Sequence, residues 1–279
     1  MGAVNGWRSA SGSGTLERMS AAPGTLSLGV AAALGPAAIA EIAGAAEAAG
    51  FEALWVNDTP GADALEALAA AASVTATLGL ATGVLPLDRR PAEEIAAAAT
   101  ALPAHRLTLG IGSGAARQGA LAMMTEGVQR LRAEVGCRIL VGALGPRMRR
   151  LGAAEADGVL LSWLPPRLAR EQAAAAHEVR PAAHVALYVR TALDPAAEER
   201  MRQEAERYAG FPSYAANFAR LGIDVHDTVL PSPAGDAASG IVAYRDAVDE
   251  VVLRAIVPED TPASYLRFIT TAAQLRDAS

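Results

Sequence analysis

Residues Leu78–Gly114 read LGLATGVLPLDRRPAEEIAAAATALPAHRLTLGIGSG. Leu78–Leu85 is a short apolar run of the kind that forms a buried strand. Ala92–Leu102 carries helical periodicity, and Arg106–Gly112 is a second apolar run. Pro91 stands where a first helical turn opens, and Glu93 and Glu94 suit the positive end of a helix. The segment therefore predicts strand, helix, strand.

The same alternation extends in both directions. Further apolar runs are Leu26–Val30, Ala53–Asn57, Arg138–Ala143, Gly158–Trp163, His184–Thr191 and Glu250–Val257. Between them lie Ala-rich helical stretches, Ala37–Ala49, Asp63–Ala76, Arg147–Ala156, Arg167–Val179 and Ala196–Ala209, then Ile241–Val248 and Ala263–Leu275. Pro36, Pro146 and Pro195 mark further helix starts, and Gly50 marks a helix stop. Eight strands, each followed by a helix, in about 250 residues is the pattern of a closed (β/α)8 TIM barrel. An open doubly wound sheet rarely needs eight strands in strict alternation. The expected organisation is a leader over residues 1–24 and one barrel domain over 25–279. The Ser/Gly-rich leader lacks the apolar core of a secretory signal.

Two connections break the rhythm. Residues 115–136 hold one weakly helical segment. Residues 194–249, before the last strand, are much longer than a βα unit requires and are expected at the functional rim.

Composition excludes several functions. With 52% hydrophobic and 19% charged residues among 279, the chain is a folding sequence. No apolar run has the ~18 residues of a membrane span. A net charge of −6 and 4% aromatic residues argue against a nucleic-acid partner. All 24 basic residues are Arg, so neither a Schiff-base lysine nor a Walker-type phosphate loop is present. Cys137 is the single cysteine, which excludes an intramolecular disulfide and a cysteine zinc cluster; it suits a small buried residue in a reducing cytoplasm.

Barrel chemistry sits at the C-terminal ends of strands. The second run ends in Asn57-Asp58-Thr59-Pro60, and Asp58 is the best acid candidate there, with a loop cap as the competing reading. The third ends in Gly83-Val84-Leu85-Pro86, the fourth in Gly112-Ser113-Gly114, the fifth in Gly142-Ala143-Leu144-Gly145. Glycine permits close backbone approach to a flat ring or phosphate. A following helix N-terminus, with Arg147, Arg149 and Arg150, favours an anion. A phosphorylated, ring-bearing cofactor across strands three to five is expected, against the alternative of plain turn glycines. None of the four histidines falls at a strand end; His226, in the long connection, is a possible rim residue. No spacing suggests a metal site. With so few rim acids and bases, a cofactor is expected to carry the chemistry.

Three stretches carry a family resemblance: VND at 56–58, ATGVLPLDRRPAEEIAAAATALPAHRLTLGIGSG at 81–114, and GALGPRMRRLGAAEADGVLLSW at 142–163. They resemble the luciferase-like flavin and deazaflavin oxidoreductases, most nearly the actinobacterial branch that uses coenzyme F420. The likeness runs over Leu26–Trp163 and more loosely to the final helix. It implies a (β/α)8 barrel with a flavin-like ring in its mouth and a non-prolyl cis peptide beneath the ring at Gly83-Val84. It also implies a coenzyme-lining loop at Gly112, Ser113 and Gly114. The phosphate end would meet Gly142, Ala143, Leu144 and Gly145, with Arg147 and Met148.

The function implied is hydride transfer between F420 and a small organic substrate in a cytoplasmic homodimer. The alternatives are an FMN-dependent monooxygenase and a non-catalytic flavin- or deazaflavin-binding relative. Thr59 stands where several deazaflavin members carry His, and Ala115 where one branch carries Glu. The lysines that grip a sugar phosphate in that branch are absent. Any acid/base role is then expected of Asp58, Thr59 or the long connection.

Overall fold

The computed structural model describes residues 22–116, 118–233 and 235–278, so most of the expected leader lies outside the described residues. Its strands are β1 Thr25–Ala31, β2 Ala53–Asn57, β3 Gly79–Thr82, β4 Leu85–Pro86, β5 Leu107–Gly112, β6 Arg138–Gly142, β7 Gly158–Ser162, β8 His184–Thr191 and β9 Glu250–Ala255. All pair in parallel, and the ring closes because β1 pairs with both β2 and β9 while β3 pairs with both β2 and β5. The third barrel strand, predicted as one run, is interrupted: β3 and β4 are its two halves, separated by Gly83-Val84 and both paired to β5. This is a closed eight-stranded α/β barrel, as the sequence pattern requires.

The outer ring is made by α1 Pro36–Ala48, α2 Ala64–Val74, α3 Ala92–Ala99, α4 Ala120–Glu134, α5 Pro146–Glu155, α6 Pro166–Val179, α9 Ala237–Arg245 and α10 Pro262–Asp277. Pro36 and Pro146 occupy first turns as read, and Pro91 sits one place earlier, as the N-cap of α3. Asp63, Asp236 and Thr261, which the sequence reading did not single out, cap α2, α9 and α10 with their side chains. Gly50, at φ +74°, follows the end of α1. The segment read as weakly helical is α4, a full ring helix of 15 residues. The long connection holds α7 Glu198–Ala209 and α8 Pro212–Leu221, extra to the ring, and then α9.

Strand alternation sorts side chains into two cores. Leu54, Val56, Leu109 and Val141 face the helices in the main core. Ala53, Trp55, Ala81, Leu140, Leu160, Ala186, Tyr188 and Val252 fill the barrel interior. Because Trp55 and Tyr188 point inward, Asn57 and Arg190, two residues further along their strands, point into the mouth.

Candidate functional site: the C-terminal mouth of the barrel

Asn57 ends β2 with its side chain toward the mouth. Its Nδ2 donates to the carbonyl of Gly83, and its Oδ1 is buried without a hydrogen-bond partner. Asp58, on the opposite parity, turns back to the protein. It accepts from the Ala64 backbone N–H at 3.3 Å and from Arg89 Nη2 at 3.0 Å, so it caps the start of α2 and anchors the loop after β4. Burial pushes its carboxyl above the usual range. Thr59 pairs with Ala62 in a short bridge, and its buried Oγ1 has no partner.

Gly83-Val84 is a cis, non-prolyl peptide bond, in the position that the resemblance implies. The side chain of Val84 lies across two of the predicted glycines. A Cβ on Gly112 would sit 2.6 Å from one Val84 methyl, and a Cβ on Gly142 would sit 2.9 Å from the other. A Cβ on Gly83 would lie 2.3 Å from the Tyr188 hydroxyl. That hydroxyl is fully buried, lacks a partner, and is held far above its ordinary pKa by burial. The structure thus brings Gly83, Val84, Gly112 and Gly142 into one patch with Asn57 and Tyr188. The glycines are there because Val84 fills their space; half-buried Val84 itself is the floor of the mouth.

Gly114 has a different explanation. It holds φ +58°, and a Cβ there would fall 1.7 Å from an Asp88 carboxylate oxygen. Asp88 also accepts from the Ala115 N–H at 2.7 Å, so this carboxylate clamps the turn that follows Ser113. The turn by itself requires glycine.

The loop after β6 carries the remaining predicted residues. Ala143 is buried, and its N–H bonds to the carbonyl of Leu160. Gly145 caps α5 without a side-chain hydrogen bond, leaving first-turn N–H groups available beyond Pro146. Arg147 and Arg150 are exposed, and Met148 packs on the main core. Arg149 turns back instead, donating to the Leu144 carbonyl at 2.7 Å. Arg220, from α8, reaches the same carbonyl at 3.3 Å. Burial, and then Arg220, lower the pKa of Arg149. Two guanidinium groups therefore converge on a helix N-terminus, a favourable place for an anion.

The other half of the mouth holds residues that the sequence reading did not single out. Arg190 donates to Ser162 Oγ at 2.6 Å and to Glu204 Oε1 at 3.2 Å. Its guanidinium lies 4.0 Å from the Trp163 ring centroid and 4.7 Å from that of Tyr208. Trp163 is fully buried at φ +58°, with its Nε1 unpartnered. With Phe218 and Tyr208 it joins α7 and α8 to the barrel, so the insertion covers the ends of β7 and β8. Glu204, from α7, lies among cations: burial would raise its pKa, but Arg190 and Arg254 outweigh this and hold it low. Charged residues at inward parity in β8 and β9 were the available signal.

The histidines lie elsewhere: His105 precedes β5, and His177 and His184 pair with Asp249 and Glu250 at the opposite end of the barrel. His226 sits in a short turn capped by Asp224. Burial pushes the Cys137 thiol up to about 11. Among the described residues, no cluster of three or more His, Cys, Asp or Glu is placed to hold a metal ion. No described helix is long and apolar enough to cross a membrane.

Residues 16–120 match the model of the family described as luciferase-like monooxygenase. No curated protein matches the chain. Among solved structures, the monooxygenase RslO1 from Streptomyces bottropensis is similar at 18% identity and TM-score 0.66, over 91% of this chain and 100% of that one. An F420-dependent secondary alcohol dehydrogenase, in complex with an F420-acetone adduct, is similar at 15% identity and TM-score 0.67, over 88% and 98%. A riboflavin lyase (RcaE), with modified FMN and riboflavin, is similar at 12% identity and TM-score 0.61, over 91% and 92%. What these three share with the chain is the fold.

Proposed function

We propose that this chain is a luciferase-like oxidoreductase that holds a flavin-type coenzyme over Val84 and exchanges hydride with a small organic substrate. One observation carries the reading. Val84, lying across Gly112 and Gly142, forms an open floor beside buried polar atoms of Asn57 and Tyr188 that have no partner among the described residues. Buried polar groups without partners are rare, and a ligand is one of the ordinary explanations. The family match over residues 16–120 supports the same class.

The residues present fit such a coenzyme. Val84 would support the ring, and Asn57 and Tyr188 would gain polar contacts with its edge. The N-terminus of α5, with Arg149 and Arg220, would hold its phosphate. The aromatic cluster under α7 and α8 would keep water from the β7–β8 side. When bound, the coenzyme supplies the hydride chemistry that these side chains cannot. Asp58, its carboxyl raised by burial, is proposed as the acid of the site, with the neighbouring Thr59 hydroxyl, unpartnered among the described residues, left to meet the substrate. Asp58→Asn should then lower turnover while leaving coenzyme affinity unchanged, and wild-type turnover would leave Asp58 as a loop cap alone.

F420 is the coenzyme favoured by the motifs at 81–114 and 142–163, with FMN the alternative. Side-by-side titration of the purified protein with FMN and F420, followed by absorbance and fluorescence, tests this. Tighter binding of F420 is the expected result. Tighter FMN binding would move the reading to a monooxygenase. If neither coenzyme bound the folded protein, the reading would fail.

A further inference from the structure

β8 and β9 place Arg190 and Arg254 directly opposite one another in the sheet register. Both lie at inward parity near the C-terminal ends of their strands, so two cations project into the same half of the mouth. One carboxylate, Glu204, lies close enough to influence both, and it is hydrogen-bonded to Arg190. Arg254 donates to the Ala255 carbonyl and lies beside Tyr265. Among the described residues, it has no carboxylate within ion-pair distance.

Arg254 also lines a cavity of about 250 Å³ at the ends of β1 and β9. The other charges of that cavity are accounted for. Arg200 pairs with Asp260 at 2.6 Å and donates to the carbonyls of Val257 and Pro258, and Tyr265 donates to Asp260 at 3.0 Å. The remaining wall is aliphatic, with Leu34, Ile256 and Val257. Glu204 favours the charged form of Arg254 from beyond ion-pair distance, while the planar fork of the guanidinium keeps the geometry that matches a carboxylate.

We propose that this cavity binds the carboxylate of a small aliphatic acid on Arg254. The site stands independently of the proposed function. A monoanion fits better than a phosphate dianion because Glu204 and Asp260 also face the cavity. The size and the aliphatic wall select a short apolar chain behind the carboxylate.

The test is calorimetric titration of the full chain with butanoate, hexanoate, their primary amides and inorganic phosphate. Each carboxylate should bind roughly ten- to a hundredfold more tightly than its amide, the worth of a charge-assisted hydrogen bond. Arg254→Gln should bring the carboxylates to the level of the amides, and Arg254→Lys should retain part of the preference. The comparison of acid with amide on the wild-type protein stands even if a variant folds poorly. Equal binding of acid and amide, an undiminished preference in Arg254→Gln, or tighter binding of phosphate would each overturn the site. F420 and FMN titrations on the same samples separate this site from the proposed function. Carboxylate binding without coenzyme binding would remove the oxidoreductase reading and keep the site. Coenzyme binding with indifference to the carboxylate would do the reverse.

Discussion

The two ends of the barrel treat buried polar atoms in opposite ways. At the N-terminal end, Glu250 is buried inside the ring, and both of its oxygens are used. Ser27 Oγ donates to it at 2.5 Å, Trp55 Nε1 at 2.6 Å, and His184 Nε2 lies at 2.8 Å. Carboxylates on the same face tie down strand starts: Asp157 accepts from the Ile139 N–H, Asp249 from the Val185 N–H, and Glu47 from the N–H groups of Ala76, Thr77 and Leu78. At the C-terminal end, Asn57 Oδ1, Thr59 Oγ1, Trp163 Nε1 and Tyr188 OH are buried without partners among the described residues, and Arg254 has no carboxylate among them within ion-pair distance. One end spends its polar groups on holding the fold together. The other leaves these four atoms and Arg254 available, as expected of a scaffold that places its chemistry at this face.

Removing one group from each end should expose this contrast most visibly. Glu250→Ala leaves Ser27, Trp55 and His184 without their acceptor and should destabilise the protein by about 3–5 kcal/mol. Tyr188→Phe removes a hydroxyl that has no partner and should change stability by less than about 1 kcal/mol. Urea denaturation of both variants checks the contrast. Equal losses would mean that the Tyr188 hydroxyl is satisfied in solution.

The Val84 floor gives a smaller effect that sharpens the picture of the mouth. Gly112→Ala would push a methyl to within 2.6 Å of Val84, and overpacking of this kind costs about 1–3 kcal/mol. Adding Val84→Ala to the variant should restore most of that loss, because the clash is with this one side chain. A double-mutant cycle on thermal midpoints measures the coupling. Additive losses would show that Gly112 is required for another reason.

Acid reaches the Glu47 carboxylate of the N-terminal face late. Backbone N–H donors from Thr77 and Leu78 hold the Glu47 carboxyl down to about 2, below its ordinary 4.5. A lowered folded-state pKa gives stability that is fully present above the ordinary value and is lost as pH falls through the folded value. The stability difference between wild type and Glu47→Gln should therefore hold constant above about 4.5 and shrink as pH approaches about 2. A difference independent of pH in that window would assign the effect to packing.

Much of this was readable in the chain. Apolar runs alternating with Ala-rich helices were enough for the barrel, because each βα unit buries itself by local pattern. Helix starts at Pro36, Pro146 and Asp63 follow from local chemistry too. The break at Gly83-Val84 was legible through family likeness alone, since periodicity makes Leu78–Leu85 one strand. Asn57 could have been found by counting parity from the buried Trp55, whereas Asp58 drew attention as the ionisable neighbour. The need for small residues at Gly112 and Gly142 was visible, but its cause, Val84, lies on another strand. Likewise, Arg190 and Arg254 stand out in apolar runs, yet their opposition depends on the register of β8 with β9. The start of α9 at Ala237, earlier than periodicity suggests, is set by the Asp236 cap.

The central claim is that the coenzyme rests on Val84 at the C-terminal end, within reach of Asn57 and Tyr188. A crystal structure of the protein grown with whichever of F420 or FMN binds more tightly tests it most directly. The account predicts ring density over Val84, with a polar ring atom in hydrogen-bonding contact with Asn57 or Tyr188. Density for the ring at any other place, with that floor bare, would contradict it.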